Sequence, residues 1–147
     1  MPYFRSFPVE LFKMSPALVR HVFVYGTLRQ GEERDINRLL PAPRWIGFAC
    51  VPGVLYHLGA YPGLVLGAPG RVRGEVYAIS AELESQLDEI EEVWPRQSGE
   101  YRKREALVRL EEPAQEVLCL VYEAAPDRIQ GMPLISCGDW VRNRLEA

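Results

Sequence analysis

The amino-acid sequence indicates an α+β fold, in which a small, mixed and strongly curved β-sheet or barrel of about six to seven strands packs against one main helix. Most of the chain consists of short β-rich segments that follow each other through tight turns, which favours antiparallel pairing. A single segment has the spacing of an amphipathic helix. The length of 147 residues suits one domain, and we predict that domain over residues 20–147, after an N-terminal arm over residues 1–19.

Glycine and proline turns separate the predicted strands. Pro52-Gly53 divides two β-rich segments, and residues 59–63 form the turn before the next one. Residues 67–70 form a further loop, and residues 31–40 are predicted to be a loop that contains a short helical turn. The seven predicted strands are residues 22–25, 44–51, 54–58, 64–66, 72–79, 101–110 and 116–122.

Residues 81–93 have the pattern of the one clear helix. Ser80 is a suitable N-cap. Leu83, Leu87 and Ile90 recur at helical spacing and form a buried stripe. The segment also carries six carboxylates, most of which we expect on a solvated face: Glu82, Glu84, Asp88, Glu89, Glu91 and Glu92.

Helix geometry orders these carboxylates by their angle from the buried stripe. At ~100° per residue, Glu91 lies nearest, ~70° from the centre of the stripe, and Glu84 follows at ~90°. Asp88, Glu89 and Glu92 point further outward on the same count. Glu91 is therefore the carboxylate best placed to reach a half-buried cleft. Half-burial raises the pKa of a carboxyl group, as a general acid/base at neutral pH requires.

Composition and charge exclude several classes of function. The net charge is −3 and no basic stripe stands out, so we predict no nucleic-acid partner. No segment approaches the ~18 consecutive apolar residues of a membrane span, and we predict no membrane partner. Three widely spaced cysteines and two histidines form neither a disulfide framework nor a usual zinc site. We therefore expect no metal and a reducing, cytoplasmic location, while the oligomeric state stays open.

The first predicted strand runs directly into the loop Tyr25-Gly26-Thr27-Leu28. A strand that ends in such a tight loop can turn several backbone N–H groups toward one point, where a small anion can bind. The loop alone is a weak signal. Together with the carboxylate-bearing helix further along the chain, it is a stronger indication of a functional site.

Several short motifs recur in an order that is typical of one family. The motifs are, in order, Tyr25-Gly26-Thr27-Leu28, Gly59-Ala60-Tyr61-Pro62-Gly63, Gly74-Glu75-Val76-Tyr77, Leu87-Asp88-Glu89-Ile90-Glu91, and Tyr101 followed by basic residues. With these motifs, the chain over residues 21–142 resembles the γ-glutamylcyclotransferase-like superfamily, in particular its γ-glutamylamine cyclotransferase and avirulence-induced-gene-like branch.

The resemblance implies a small mixed β-barrel and an enzyme that needs no cofactor, nucleotide or metal. The implied reaction converts a γ-glutamyl amide into 5-oxoproline and a free amine, so the expected partner is a small γ-glutamyl-containing molecule. By resemblance, Tyr25, Gly26, Thr27 and Leu28 hold the glutamyl end of the substrate. The catalytic glutamate is the last residue of the Leu-Asp-x-x-Glu run, which is Glu91 here and is also the residue that the helix geometry selects.

Three tyrosines are further candidates for the site. By resemblance, Tyr101 lines the pocket and hydrogen-bonds the substrate or Glu91. Tyr61 and Tyr122 are interpreted as packing residues with a hydroxyl toward the pocket. The leaving amine is expected to be recognised by the irregular segments 31–38 and 94–100, which flank the predicted cleft.

Two further motifs have no assigned chemistry. Many family members carry glycine directly after the catalytic glutamate, whereas this chain has Glu92, which suggests that the helix continues. The run Gly138-Asp139-Trp140 resembles one near the C-terminus of bacterial members and is interpreted as packing.

Two alternatives to an enzyme stay open at this point. The same pocket would suit a module that binds a small carboxylate or amine metabolite without converting it. An interaction protein that works through its arm or tail is the other alternative.

Overall fold

The computed structural model describes Leu18 and residues 20–146, so the predicted arm lies outside the described residues apart from Leu18. The described residues form five strands and three helices, together with a short 3₁₀ turn at Ile36–Arg38. The strands are β1 Arg20–Val24, β2 Arg44–His57, β3 Pro62–Ile79, β4 Tyr101–Leu110 and β5 Glu116–Ala124. The helices are α1 Ala81–Ile90, α2 Pro126–Ile129 and α3 Trp140–Glu146.

The strands close into a barrel in the order β1-β3-β2-β4-β5. β1 completes the circle by pairing in parallel with β5, where Val22 lies opposite Leu120. The other neighbouring pairs are antiparallel. The predicted α+β fold with a small mixed barrel is therefore confirmed.

The seven predicted strand segments lie, except for residues at their ends, within these five strands. The turn predicted at Pro52-Gly53 is instead a register shift within β2, and residues 67–70 are part of β3. β2 and β3 pair with each other on both sides of this register shift, from Arg44 opposite Ala78 to His57 opposite Pro62. Such an irregularity bends the sheet, which helps a small number of strands to close a barrel.

The apolar core has two parts, and the alternation along β1 separates them. Phe23 and Tyr25 belong to the cluster inside the barrel, whereas Val22 and Val24 belong to the cluster that packs under α1. From α1, Leu83 and Leu87 are fully buried in the second cluster. This arrangement places the end of β1 and the end of α1 side by side.

The helix α1 is shorter than predicted. Ser80 Oγ accepts a hydrogen bond from the Leu83 N–H at 3.1 Å, so the predicted N-cap is confirmed. The helix ends at Ile90, and Glu91 is its C-cap residue. Glu92 has a φ of 55°, in the left-handed region that favours glycine. The prediction of a helix over 81–93 that continues past Glu92 is therefore wrong.

Backbone bonds explain why the chain turns at Glu92. The Val93 N–H donates to Asp88 O at 2.9 Å, and the Glu92 N–H donates to Glu89 O at 3.1 Å. These two bonds form a Schellman motif, which ends a helix by satisfying its last carbonyl groups. A non-glycine residue can occupy the left-handed position of this motif, at a cost in free energy.

Asp88 was expected to point outward, but it is buried. The Tyr122 hydroxyl donates to Asp88 Oδ1 at 2.7 Å, and Lys103 Nζ donates to Asp88 Oδ2 at 3.0 Å. The hairpin of β4 and β5 covers this flank of α1, which a helix considered alone does not reveal. Glu89 is exposed, as predicted.

None of the helices in the described part of the chain is long and apolar enough to cross a membrane.

Candidate active site

A pocket of about 300 Å³ opens where the loop after β1 meets the C-terminal end of α1 and the first residues of β3 and β4. All eight predicted site residues line this pocket, although they come from five different parts of the chain. They are Tyr25, Gly26, Thr27, Leu28, Tyr61, Glu91, Tyr101 and Tyr122. The fold thus brings the predicted loop and the predicted catalytic carboxylate together.

The loop after β1 lines this pocket. Its carbonyls accept bonds from within the loop: Gly26 O accepts from the Arg29 N–H at 3.0 Å, and Thr27 O accepts from the Arg34 N–H at 2.8 Å. Among the described residues, the N–H groups of Gly26, Thr27 and Leu28 donate to no protein acceptor. Three successive N–H groups without protein partners are suited to an anionic ligand.

Gly26 is required by a close approach in this loop. A Cβ at position 26 would lie only 2.6 Å from Cγ of Pro62, the first residue of β3. Without a side chain at position 26, Pro62 packs directly against the loop. The two residues together form part of the pocket wall.

Glu91 lies on the wall of the pocket at the end of α1. Its carboxylate makes no hydrogen bond or ion pair with the described residues. Burial raises its pKa from 4.5 to about 7, while the nearby Arg34 guanidinium acts in the opposite direction. The negative charges of Glu100 and Glu92 raise this pKa further. A carboxyl group with this pKa can both accept and donate a proton near neutral pH.

The four tyrosines of the pocket donate their hydroxyl hydrogens to protein acceptors. The Tyr25 hydroxyl donates to Tyr122 O at 2.6 Å, and the Tyr122 hydroxyl donates to Asp88. The Tyr101 hydroxyl donates to Pro62 O at 2.7 Å, and that of Tyr61 donates to Glu100 Oε2 at 2.6 Å. The Tyr25 hydroxyl oxygen already accepts from the Leu64 N–H at 3.2 Å. The hydroxyl oxygens of Tyr61, Tyr101 and Tyr122 can still accept a hydrogen bond from a ligand, but their hydrogens are already used.

Burial also keeps three of these tyrosines neutral. It is the largest cause of the raised pKa of the Tyr25, Tyr101 and Tyr122 hydroxyls. The negative charge of Glu91 acts in the same direction on each of them. None of the three is therefore a base at neutral pH.

Four charged pocket residues were not identified individually from the sequence: Glu33, Arg34, Glu92 and Glu100. Glu33 and Arg34 come from segment 31–38, and Glu100 comes from segment 94–100, the two segments predicted to flank the cleft. The irregular sequence of the two segments predicted that they flank the cleft. No sequence pattern indicates which of their residues line the pocket. Glu92 was missed because the helix was expected to continue through it.

No group of three or more His, Cys, Asp or Glu side chains within the described residues is arranged to hold a metal ion.

The pocket lies entirely within the part of the chain that matches a known family. Residues 22–142 match the family model described as "Gamma-glutamyl cyclotransferase, AIG2-like". This chain belongs to that family. The resemblance inferred from the motifs is therefore confirmed.

Individual relatives agree with the AIG2-like gamma-glutamyl cyclotransferase family. A Vibrio cholerae protein named "Putative gamma-glutamylcyclotransferase" is 39% identical over 121 residues, which cover 81% of this chain and 93% of the relative. A crystal structure of an uncharacterized Pyrococcus horikoshii protein is similar with a TM-score of 0.65 at 26% identity, covering 87% of this chain and 95% of the other. The crystal structure of an AIG2-like protein from Mus musculus has a TM-score of 0.65 at 26% identity, covering 80% and 86%.

Membership of the AIG2-like gamma-glutamyl cyclotransferase family supports a cyclotransferase-like enzyme. The matched segment includes every residue that lines the pocket as well as Asp139.

Proposed function

We propose that this protein converts a small γ-glutamyl amine or γ-glutamyl amino acid into 5-oxoproline and a free amine, with Glu91 as the general acid/base. One observation carries the proposal. Loop residues whose N–H groups have no acceptor among the described residues line the same pocket as Glu91, a carboxyl group with a pKa of about 7 and no partner in that part of the chain. The N–H groups suit the anionic end of a glutamyl group. The carboxyl group suits the proton transfers that ring closure requires.

In this proposal the loop Tyr25–Leu28 binds the glutamyl end. Two of the N–H groups of Gly26, Thr27 and Leu28 donate to its carboxylate, and the third stays available. The bound chain folds back so that its α-amine approaches its own γ-carbonyl carbon. Because the attacking and attacked groups belong to one molecule, holding this geometry supplies much of the acceleration.

Glu91 would carry the proton through the reaction. Its carboxylate takes a proton from the α-ammonium group, and the freed nitrogen forms the new C–N bond of the five-membered ring. The bond between the γ-carbon and the leaving nitrogen then breaks, and Glu91 returns that proton to the departing amine. The ring nitrogen loses a second proton, which passes to the released amine, so the amine leaves as an ammonium ion and Glu91 is again a carboxylate. All atoms are accounted for by one substrate, one molecule of 5-oxoproline and one amine.

The developing oxyanion needs a hydrogen-bond donor. The tyrosine hydroxyl hydrogens of the pocket are donated to protein acceptors, so a backbone N–H of the loop is the better candidate. In this proposal Tyr61, Tyr101 and Tyr122 line the site and offer acceptor oxygens to the substrate.

The test is release of 5-oxoproline from γ-glutamyl alkylamines and γ-glutamyl amino acids by wild type, Glu91→Gln and Glu89→Gln. We expect Glu91→Gln to lower kcat on the order of 10²–10⁴-fold, because it loses the proton carrier while keeping the shape. Glu89→Gln is the matched control, since Glu89 is an exposed carboxylate of the same helix.

Two outcomes would contradict the proposal. Unchanged turnover by Glu91→Gln would remove Glu91 from the chemistry. A wild-type protein that binds these compounds but releases no product over hours would instead be a binding module.

A cytoplasmic location is part of the same proposal. Cys50, Cys119 and Cys137 are all free thiols, and Cys119 is buried. Unpaired cysteines of this kind support a reducing compartment.

A further inference from the structure

The run Gly138-Asp139-Trp140 is docked tightly on the barrel. Gly138 has a φ of 69°, and a Cβ there would lie 2.1 Å from Arg71 O, so only glycine fits. The Arg73 N–H donates to Gly138 O at 2.8 Å, which ties the run to β3. Trp140 is buried within the barrel cluster. The start of α3 therefore has a fixed position against the barrel.

Asp139 uses this position to reach the loop after β1. Its Oδ1 accepts from Arg29 Nη1 at 2.8 Å and from the Arg142 N–H at 3.1 Å. Arg29 Nε also donates to Glu75 Oε2 at 2.9 Å. The side chains of Arg29 and Glu75 are each only 4% exposed, so these ion pairs are largely removed from water.

Glu75 extends the same network along the loop. Its Oε1 accepts from the Gln30 N–H at 2.9 Å and from the Tyr77 hydroxyl at 2.9 Å. The loop is thus bonded through both a side chain, Arg29, and a backbone group, Gln30. Both residues follow directly after Leu28, the last residue of the predicted binding loop.

A second ion pair joins α3 to the loop three residues further on. Arg144 contacts both carboxylate oxygens of Glu32, with Nε donating to Oε1 at 3.1 Å and Nη2 donating to Oε2. Glu32 is buried, whereas Arg144 covers it from the surface. α3 and the residue directly before it therefore contact the loop at two points, Asp139–Arg29 and Arg144–Glu32.

We propose that α3, together with Asp139 directly before it, is a clamp that fixes the loop after β1, and that Asp139 and Arg144 are positioning residues for the pocket. Both ion pairs hold the loop at residues 29–32, away from the N–H groups of Gly26, Thr27 and Leu28. The loop keeps its shape while those three N–H groups stay available for a ligand. The catalytic part of this inference rests on the function proposed above.

The test compares two arginines of the same helix. Arg144→Gln removes the contact with Glu32, whereas Arg142→Gln removes only the exposed pair with Glu146 and serves as the control. Asp139→Ser removes the charge that pairs with Arg29 but keeps a side chain that can accept from the Arg142 N–H. Arg144→Lys tests whether a conservative replacement rescues the contact.

The measurements are kcat and KM for 5-oxoproline release, the Tm, and hydrogen exchange of the bonded loop amides of Arg29, Glu32, Arg34 and Ile36. We expect Arg144→Gln and Asp139→Ser to raise KM on the order of tenfold while kcat stays within about threefold. The exchange of the loop amides should accelerate in both variants. Arg142→Gln should match wild type, and Arg144→Lys should recover part of the affinity.

Two results would overturn the clamp. One is a fall in Tm with unchanged KM and unchanged loop exchange, which would show a purely structural role. The other is an equal effect of Arg142→Gln on KM. If the wild type converts none of the compounds, the proposed function fails, and the loop exchange alone then decides whether α3 holds the loop.

Discussion

Glu91 combines two properties that rarely coincide in a surface helix. It lies on a pocket wall without a hydrogen-bond or ion-pair partner among the described residues, and burial raises its pKa from 4.5 to about 7. In an unfolded chain the same carboxyl group is expected to titrate near its ordinary value. Folding therefore favours its protonated form, and this difference links stability to pH.

The sign of that link gives the first prediction. Below pH 4.5 Glu91 is protonated in both states and carries no desolvation cost, whereas above pH 7 it is ionised in both and the folded state carries the full cost. We expect wild type to lose about 2–3 kcal/mol of unfolding free energy relative to Glu91→Gln between pH 5 and pH 8. Urea unfolding of both proteins at the two pH values measures this difference.

Glu89→Gln is again the control, because the change removes an exposed carboxylate of the same helix. Its difference from wild type should stay nearly constant over this range. An equally constant difference for Glu91→Gln would mean that Glu91 ionises alike in the folded and unfolded chains.

The helix α1 shows what a local pattern reveals and what it does not. The N-cap at Ser80 and the buried stripe of Leu83 and Leu87 were predictable, because capping and helical spacing depend on residues close in sequence. Its end was not predictable, since glutamate has no preference for the left-handed conformation of Glu92. The burial of Asp88 depends on distant strands and was missed for that reason.

The end of α1 gives a second prediction. Glu92→Gly should raise the free energy of unfolding by about 0.5–1 kcal/mol, because glycine adopts a φ of 55° without the strain that a side chain causes. Chemical denaturation measures the change. Glycine in an ordinary helical position would instead lower the stability by a similar amount, which would mean that the helix continues through residue 92.

The barrel as a unit depends on close contact between β1 and β3. Gly74 of β3 lies against β1 so closely that an added Cβ would be 2.3 Å from Val24 O and 2.8 Å from the Phe23 ring. The loop that follows β1 lines the pocket, so the contact between β1 and β3 lies next to the pocket wall. Glycine at this position is therefore a requirement of the packing.

Gly74→Ala is accordingly expected to lower the free energy of unfolding by about 2–3 kcal/mol, because the two strands must separate. Gly47→Ala is a matched control within β2, since the nearest atom to its added Cβ is 3.8 Å away. That variant should stay within about 1 kcal/mol of wild type. Thermal or urea unfolding of both variants measures these changes in the free energy of unfolding. Equal stability of the two variants would contradict the close β1–β3 contact.

The fold and the pocket differ in how far the sequence predicts them. Turn residues and alternation predicted the strands, and the ordered motifs predicted that Tyr25–Leu28 and Glu91 would meet. The merging of segments at Pro52-Gly53 was not predicted, because a register shift and a turn have the same local composition. The ion pairs that Asp139 and Arg144 make with the loop join residues more than 100 positions apart, so no local sequence pattern predicts them.

The most direct measurement of the proposed arrangement is a crystal structure of Glu91→Gln with a γ-glutamyl alkylamine bound. We expect the glutamyl carboxylate within about 2.7–3.2 Å of the N–H groups of Gly26, Thr27 or Leu28. The γ-amide should face the side chain at position 91. A ligand whose carboxylate binds elsewhere, or whose γ-amide points away from position 91, would contradict the account.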